Sequence, residues 1–393
     1  MYRFSKSIMN TPRSYVREIL KMIGIPGMIS FAGGLPNNKF FPVEALAESA
    51  DRVLSKNGSA ALQYSATEGY VPLREFISAR YKGRGLNIPI EEILIVGGSQ
   101  QAIDLVGRVF FDEGDALVLE EPGYLGAIQA FAQYMPSFKG VTLENDGIDT
   151  AMLEKKIGLY NPKLFYAVPN FQNPTGLTYS LAKRQKTGEI IERTKTVMLE
   201  DDPYGELRFI GEHLPPLKCF APEYGMIQGS FSKIVAPGFR LGWIAAPAPI
   251  MEKLVTAKQA ADLHTNQFSQ LVLADYFANN DLNAHIEKIK KGYYEQRAAM
   301  VDALAEYFPD SVKYTEPEGG MFLWATLPEG YAAMELAGIA LNNKVGFVPG
   351  EPFYTDGRTS NAMRLNYTAS DPQTIREGVK RLAESITEYL KTK

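Results

Sequence analysis

Residues 196–204 read TVMLEDDPY, and residues 226–233 read MIQGSFSK. Each is an apolar run of strand length that stops abruptly in polar, turn-forming residues. The same layout recurs along the chain. Ile93 to Val96 (ILIV) runs into Gly97-Gly98-Ser99-Gln100, Ala116 to Leu119 (ALVL) into Glu120-Glu121-Pro122-Gly123-Tyr124, and Leu164 to Val168 (LFYAV) into PNFQNPTG at 169–176. A further run, Leu241 to Ala246 (LGWIAA), follows the loop after Lys233. Between most of them lie stretches with helical spacing, such as Gln101 to Phe111 and Leu181 to Arg193. Apolar strands alternating with helices predict an α/β fold with a mainly parallel sheet covered on both faces. In such sheets ligands bind beyond the carboxyl ends of the strands, where this chain carries nearly all its polar, reactive residues.

Outside that core, Asn283 to Phe308 and Ile375 to Leu390 read as amphipathic helices framing a smaller lobe. Glu318 to Trp324 and Ala362 to Tyr367 read as strands packed under them, and the N-terminal residues, with Ser14 to Met22 helical, are expected to join that lobe. The division that follows is 41–282 for the large domain, with 1–40 and 283–393 for the small one. Hydrophobic residues make up 45% of the 393 and charged residues 22%, which excludes wholesale disorder. With 41 Lys+Arg against 45 Asp+Glu, the net charge of -4 argues against nucleic acid or an anionic membrane as partner. Small molecules and a second copy of the chain are the expected partners. Cys219 is the single cysteine, so no intramolecular disulfide or thiolate cluster is available. No apolar leader or spanning run is visible, and the composition reads as cytoplasmic. His213, His264 and His285 lie far apart in sequence without metal-ligand spacing, and no metal is expected.

The strand ends can be tested against a phosphate-bearing ligand, which needs backbone N–H groups at a helix start together with hydroxyl and guanidinium donors. Gly98-Ser99-Gln100 offers such a turn, and Ser230, Ser232 and Arg240 flank a second loop. GxxxxGK[ST] and GxGxxG are both absent, which argues against ATP and NAD. Lys233 stands between those serines and Arg240. A lysine taken at random is a solvated surface group. Beside a phosphate cradle, however, its amine can form a Schiff base with a carbonyl cofactor, and pyridoxal phosphate also needs an acid at its ring nitrogen. Asp201 is placed for that acid, with Tyr204 and the Asn173 amide as partners for the ring hydroxyl.

These residues sit in words whose order and spacing carry a resemblance. SFAGGLP (30–36), LQYS (62–65), GSQQ (98–101), EPGY (121–124), NPTG (173–176), DDPY (201–204), SFSK (230–233), PGFRLGW (237–243) and MRLNY (363–367) together resemble the fold-type I pyridoxal-phosphate aminotransferases of class I/II over essentially the whole chain. The nearest likeness is to the branch of 2-aminoadipate, kynurenine and broad-range aminotransferases. It implies a large domain with a mainly parallel seven-stranded sheet and a small α+β domain built from both termini. Lys233 would anchor the cofactor and shuttle the proton, Asp201 would pair with the ring nitrogen, and Asn173 and Tyr204 would bond the ring oxygen. Ser99, Gln100, Ser230, Ser232 and Arg240 would hold the phosphate, Tyr124 would stack on the ring, and Tyr64 would reach in from the neighbouring subunit of a homodimer. Arg364, with Gly34 and Asn173, would clamp the substrate α-carboxylate, as planar bidentate recognition favours arginine. Arg17 aligns with a helix arginine that meets the distal carboxylate of acidic substrates in that branch, although a solvated arginine would look the same.

The expected activity is ping-pong transamination from an L-amino acid (2-aminoadipate, glutamate, branched-chain or aromatic) to a 2-oxo acid such as 2-oxoglutarate. A β-lyase on the same fold would present the same lysine, aspartate and phosphate residues. A pyridoxal-phosphate-sensing regulator would carry a DNA-binding domain ahead of the fold. Only about thirty residues precede SFAGGLP here, too few for one by ordinary domain size.

Overall fold

The computed structural model describes residues 2–12 and 26–392. Its centre is an eight-stranded sheet. In chain order the strands are β1 (Ile93–Val96), β2 (Ala116–Glu121), β3 (Ser137–Glu144), β4 (Gly147–Ile148), β5 (Leu164–Ala167), β6 (Met198–Asp201), β7 (Gly225–Ser230) and β8 (Gly242–Ala245). They lie side by side in the order β1-β8-β7-β6-β5-β2-β3-β4. Neighbours from β7 through β6, β5 and β2 to β3 are parallel, whereas β8 runs antiparallel to both β1 and β7. The strand count corrects the expected seven: β4 adds a two-residue antiparallel edge to β3. Such a short pairing, closed by a turn next to β3, carries no apolar run of its own to read.

Every residue of β1, β5, β6, β7 and β8 is buried, as strands covered on both faces require. Helix α1 (Ser99–Phe110) follows β1 and lays Ala102, Ile103, Leu105 and Val106 into a core with Leu94, Val96, Leu117 and Leu199. On the opposite face, Leu153, Ile157, Ile190 and Ile191 cover Val118, Phe165 and Met198.

A second, four-stranded sheet is built from β9 (Lys313–Tyr314), β10 (Phe322–Thr326), β11 (Val348–Pro349) and β12 (Ala362–Asn366), in the antiparallel order β9-β10-β12-β11. The expected strands are present, with the first beginning at Phe322 rather than Glu318. Helices α2 (Leu282–Tyr307) and α3 (Pro372–Leu390) close over it, and Met300, Leu304, Leu323, Leu365, Val379 and Leu382 form its core. Residues 29–31 pair with this unit, whereas Ser7 and Pro12, expected in the small lobe, bond Gln133 and Gln129 of the large one. Ile29–Ser30 pairs in parallel with Val345–Gly346, and the Asn366 N–H donates to the Phe31 carbonyl at 2.8 Å. The helix expected at Ser14 to Met22, with Arg17, lies outside the described residues.

Candidate active site

Beyond the carboxyl ends of β1, β5, β6 and β7 lies a cavity of about 330 Å³, lined by Ser99, Gln100, Tyr124, Val168, Asn173, Asp201, Pro203, Tyr204, Ser230, Ser232, Lys233 and Arg240. Ten of these twelve were expected from the sequence; Val168 and Pro203 were not. A larger cleft of about 810 Å³ lies between Phe76–Gly85, Glu206–Pro215 and α2. Its charges already have partners, Arg80 with Glu206 and Asn283, Arg84 with Asp202, and Lys290 with Glu287. Little in it is left to recognise a ligand.

At the mouth of β1 the chain must turn sharply into α1, and Gly98 does so at φ +90°, a conformation that suits glycine. A Cβ at Gly98 would also lie 2.5 Å from Arg240 Nη2. The turn thus lets a guanidinium approach the free N–H groups at the start of a twelve-residue helix. Arg240 Nη2 donates to the Gly97 carbonyl at 3.2 Å, and Ser230 Oγ accepts from the Ser232 N–H at 3.1 Å. Gln100 lines the same cavity and donates to the Gly126 carbonyl at 2.7 Å. A helix N-terminus, hydroxyls and an arginine on one wall suit a phosphate dianion.

Asp201 closes the far wall. Its Oδ2 accepts from the Tyr166 hydroxyl at 2.6 Å, while its buried Oδ1 has no hydrogen-bond partner. Burial pushes the carboxyl up to about 6, opposed by the Tyr166 hydroxyl and the Gln228 amide. A cationic partner at Oδ1 would hold it ionised. Lys233 projects from the loop after β7, half-buried, and its Nζ donates to the Gly34 carbonyl at 3.2 Å. Burial first, then the charges of Arg364 and Arg240, bring its amine down to about 8. Tyr124 rises to about 12 through burial and the Asp201 charge. Burial likewise raises Tyr204, so both hydroxyls remain protonated donors at neutral pH.

Arg364, on β12, is 3% exposed. Nη1 donates to Asn173 Oδ1 at 2.8 Å and Nη2 to the Ala32 carbonyl at 2.7 Å, but Nε has no partner. The guanidinium lies 4.3 Å from the Phe322 ring centroid and 5.4 Å from that of Phe353. No carboxylate neutralises it among the described residues, and burial lowers its pKa to about 10. A buried cation without an anion is costly, and the deficit is met when a carboxylate binds.

Gly34 is placed by the N-terminal segment, with Phe322 only 3.3 Å from where its Cβ would be. Tyr64 does not enter the cavity of its own chain: it is 78% exposed and lies edge-on to His264 at 5.7 Å. Arg17 lies outside the described residues. Sequence reasoning missed Tyr166 and Gln228 around Asp201, and Phe322 and Phe353 around Arg364. A tyrosine and a glutamine inside otherwise apolar strands were a legible signal, because buried hydroxyls and amides need partners.

The model for aminotransferase class I and II matches residues 28–382, covering both sheets and every element of the cavity. The chain belongs to the class I and II aminotransferase family. Within it, the chain is 44% identical to aromatic-amino-acid aminotransferase 1 of Thermococcus litoralis, over 99% of this chain and 95% of that protein. The structure of a kynurenine aminotransferase from Pyrococcus horikoshii superposes with a TM-score of 0.94 at 42% identity, covering 98% of this chain and 97% of that one. The alpha-aminoadipate aminotransferase of Thermus thermophilus, solved with N-(5'-phosphopyridoxyl)-L-leucine, gives 0.92 at 41% identity, over 99% and 98% of the two chains. Family and branch agree with the reading of the motifs. No helix among the described residues is long and apolar enough to cross a membrane.

Proposed function

We infer that this aminotransferase holds pyridoxal 5'-phosphate in the 330 Å³ cavity and moves amino groups from L-amino acids to 2-oxo acids such as 2-oxoglutarate. The observation that carries the reading is geometric: the Lys233 amine donates to the Gly34 carbonyl at 3.2 Å, and the buried Arg364 guanidinium, bonded to Asn173 and Ala32, has no carboxylate among the described residues. One group is poised for carbonyl chemistry and the other for a carboxylate. The cofactor, when bound, supplies an aldehyde and a ring able to take up the electrons of a carbanion.

The chain's own residues divide the remaining work. Ser99, Gln100, Ser230, Ser232 and Arg240 hold the phosphate, Asp201 Oδ1 meets the ring nitrogen, and Asn173 and Tyr204 hold the ring oxygen while Tyr124 covers a face. Lys233, with roughly a tenth of it neutral at pH 7 for an amine at about 8, against far less for an ordinary lysine, would hold the aldehyde and would take and return the proton at the substrate Cα. Arg364, Asn173 and Gly34 fix the substrate carboxylate. Tyr64 reaches the phosphate of a second copy, so the active unit is a homodimer, with the site between 41–282 and the lobe formed by 1–40 and 283–393. Arg17 meets the distal carboxylate of glutamate and 2-aminoadipate. Relatives of similar identity carry the names of aromatic, aminoadipate and kynurenine enzymes, which supports a broad donor range including branched-chain and aromatic amino acids. Cytoplasmic amino-acid metabolism is the proposed setting.

The test is a half-reaction. Protein loaded with pyridoxal phosphate is mixed with glutamate, 2-aminoadipate, leucine, valine, phenylalanine, kynurenine or alanine, without an oxo acid, and absorbance is followed. Loss of the cofactor band, restored by 2-oxoglutarate, is expected, and the rates rank the donors. An S-substituted cysteine, which carries a leaving group on Cβ, completes the panel: ammonia and thiol release from it with the band restored unaided, and no band loss with the other amino acids, would replace this reading with a β-lyase.

A further inference from the structure

We propose that Tyr166 and Gln228 are positioning residues for the transamination, fixing the Asp201 carboxylate from the strands on either side. The inference rests on the reading of the cavity as a pyridoxal-phosphate site. β6 lies between β5 and β7 in the sheet. Gln228 is the register partner of Asp201, and Tyr166 is the partner of Leu199, two residues before Asp201. Side chains at i and i+2 of a strand share a face, as do register partners, so Tyr166, Asp201 and Gln228 project together on one face of the sheet.

The contacts follow from that placement. The Tyr166 hydroxyl donates to Asp201 Oδ2 at 2.6 Å, and its ring, 1% exposed, is held edge-on by Phe131 at 5.8 Å. Burial and the Asp201 charge keep this phenol protonated, so it acts only as a donor here. Gln228 is fully buried, and neither its amide nitrogen nor its oxygen has a hydrogen bond of ordinary geometry. Its amide nevertheless stands close enough to favour the ionised Asp201. A buried amide with no settled partner is destabilising, and the register places this one beside the Asp201 carboxylate.

The other groups facing Asp201 do not stabilise its charge. They are Asp202, just past the end of its strand, Glu120 on β2, and the hydroxyls of Tyr124 and Tyr204. Tyr166 and Gln228 oppose the effect of burial, and Tyr166, by occupying Oδ2, leaves Oδ1 as the free acceptor for a ring N–H. Without them the carboxyl would be both more easily protonated and free to rotate, and the ring nitrogen would lose its acid partner.

Tyr166→Phe keeps the ring packed against Phe131 and removes only the hydroxyl, and Gln228→Met keeps the length and removes the amide. Each variant and the wild type would be loaded with pyridoxal phosphate carrying a nitrogen-15 ring label. The ring-nitrogen chemical shift, cofactor affinity by equilibrium dialysis and melting temperature would then be read. Tyr166→Phe should move the ring nitrogen towards its unprotonated shift and weaken affinity about tenfold, the size of one lost charged hydrogen bond. Gln228→Met should move both in the same direction by less. Wild-type shift and affinity in both variants, even with a lowered melting temperature, would overturn the proposal, because a merely structural role moves only the melting. Should Tyr166→Phe fail to fold, Gln228→Met decides by the same two readouts. Wild-type protein that takes up no cofactor would sink the reading of the cavity instead.

Discussion

Lys233 and Arg364 illustrate chemistry set by single side chains and their burial. The Lys233 amine, brought down to about 8, is protonated and unreactive below that pH and neutral above it. The rate at which apo-protein captures pyridoxal phosphate should therefore rise with pH up to about 8 and then level off, as stopped-flow absorbance would read. A rise continuing to about 10.4, the ordinary lysine value, would show an unperturbed amine. For Arg364→Lys, a point charge replaces a planar fork held between Asn173 and the Ala32 carbonyl. The kcat/KM for amino acids should fall about 100-fold, the equivalent of roughly 3 kcal/mol of bidentate charged bonding, with cofactor affinity retained. At this scale the residues inside recurring words, Lys233, Asp201, Asn173, Tyr204, Arg240 and Arg364, were legible. Phe322 and Phe353, which make the arginine's slot, were not: a phenylalanine in an apolar strand looks the same whether it packs a core or a cation.

The elements were legible where an apolar run met a turn. β1 and β5 coincide with such runs to within one residue because strands buried on both faces are nearly all apolar, whereas β6 runs two residues past its apolar run, carrying Glu200 and Asp201 into the sheet. β3 was missed since its SFKGVTLE is only partly buried and includes a lysine and a glycine. Helix α2 begins at an N-cap: Asp281 accepts from the Ala284 N–H at 3.0 Å. Asp281→Ala should cost about 1 kcal/mol of unfolding free energy in urea and leave kcat/KM unchanged, since only an orphan helix N–H loses its partner. Leu365, fully buried between β10 and the helices above it, is a stronger test of the small sheet. Leu365→Ala should cost about 2–5 kcal/mol through lost burial and the cavity left behind. Because Leu365 neighbours Arg364 on β12, a rise in the KM for amino acids should accompany it.

At the scale of the whole molecule, the placement of Tyr64 decides whether one chain suffices. It stands exposed, away from the cavity of its own chain, so its proposed role requires a second copy. Mixing Lys233→Ala subunits with Tyr64→Ala subunits under exchange conditions should restore activity above either variant alone. In the mixed dimer one site would then have both residues intact. If Tyr64 served its own chain, every site would lack one of them and mixing would restore nothing. The sequence by itself determined the alternation of strands and helices, the strand ends as the place of the site, and the residues whose words announce lysine, acid and phosphate chemistry. Those signals are local, written in the periodicity of one element and the turn after it. Only the tertiary structure decided that Ala32 and Gly34 lie against Arg364 and Lys233, that Tyr166 and Gln228 flank Asp201, and that the arginine meets no anion among the described residues. Each joins residues far apart in the chain, and burial and hydrogen-bond satisfaction are properties of the packed whole that no single stretch can carry.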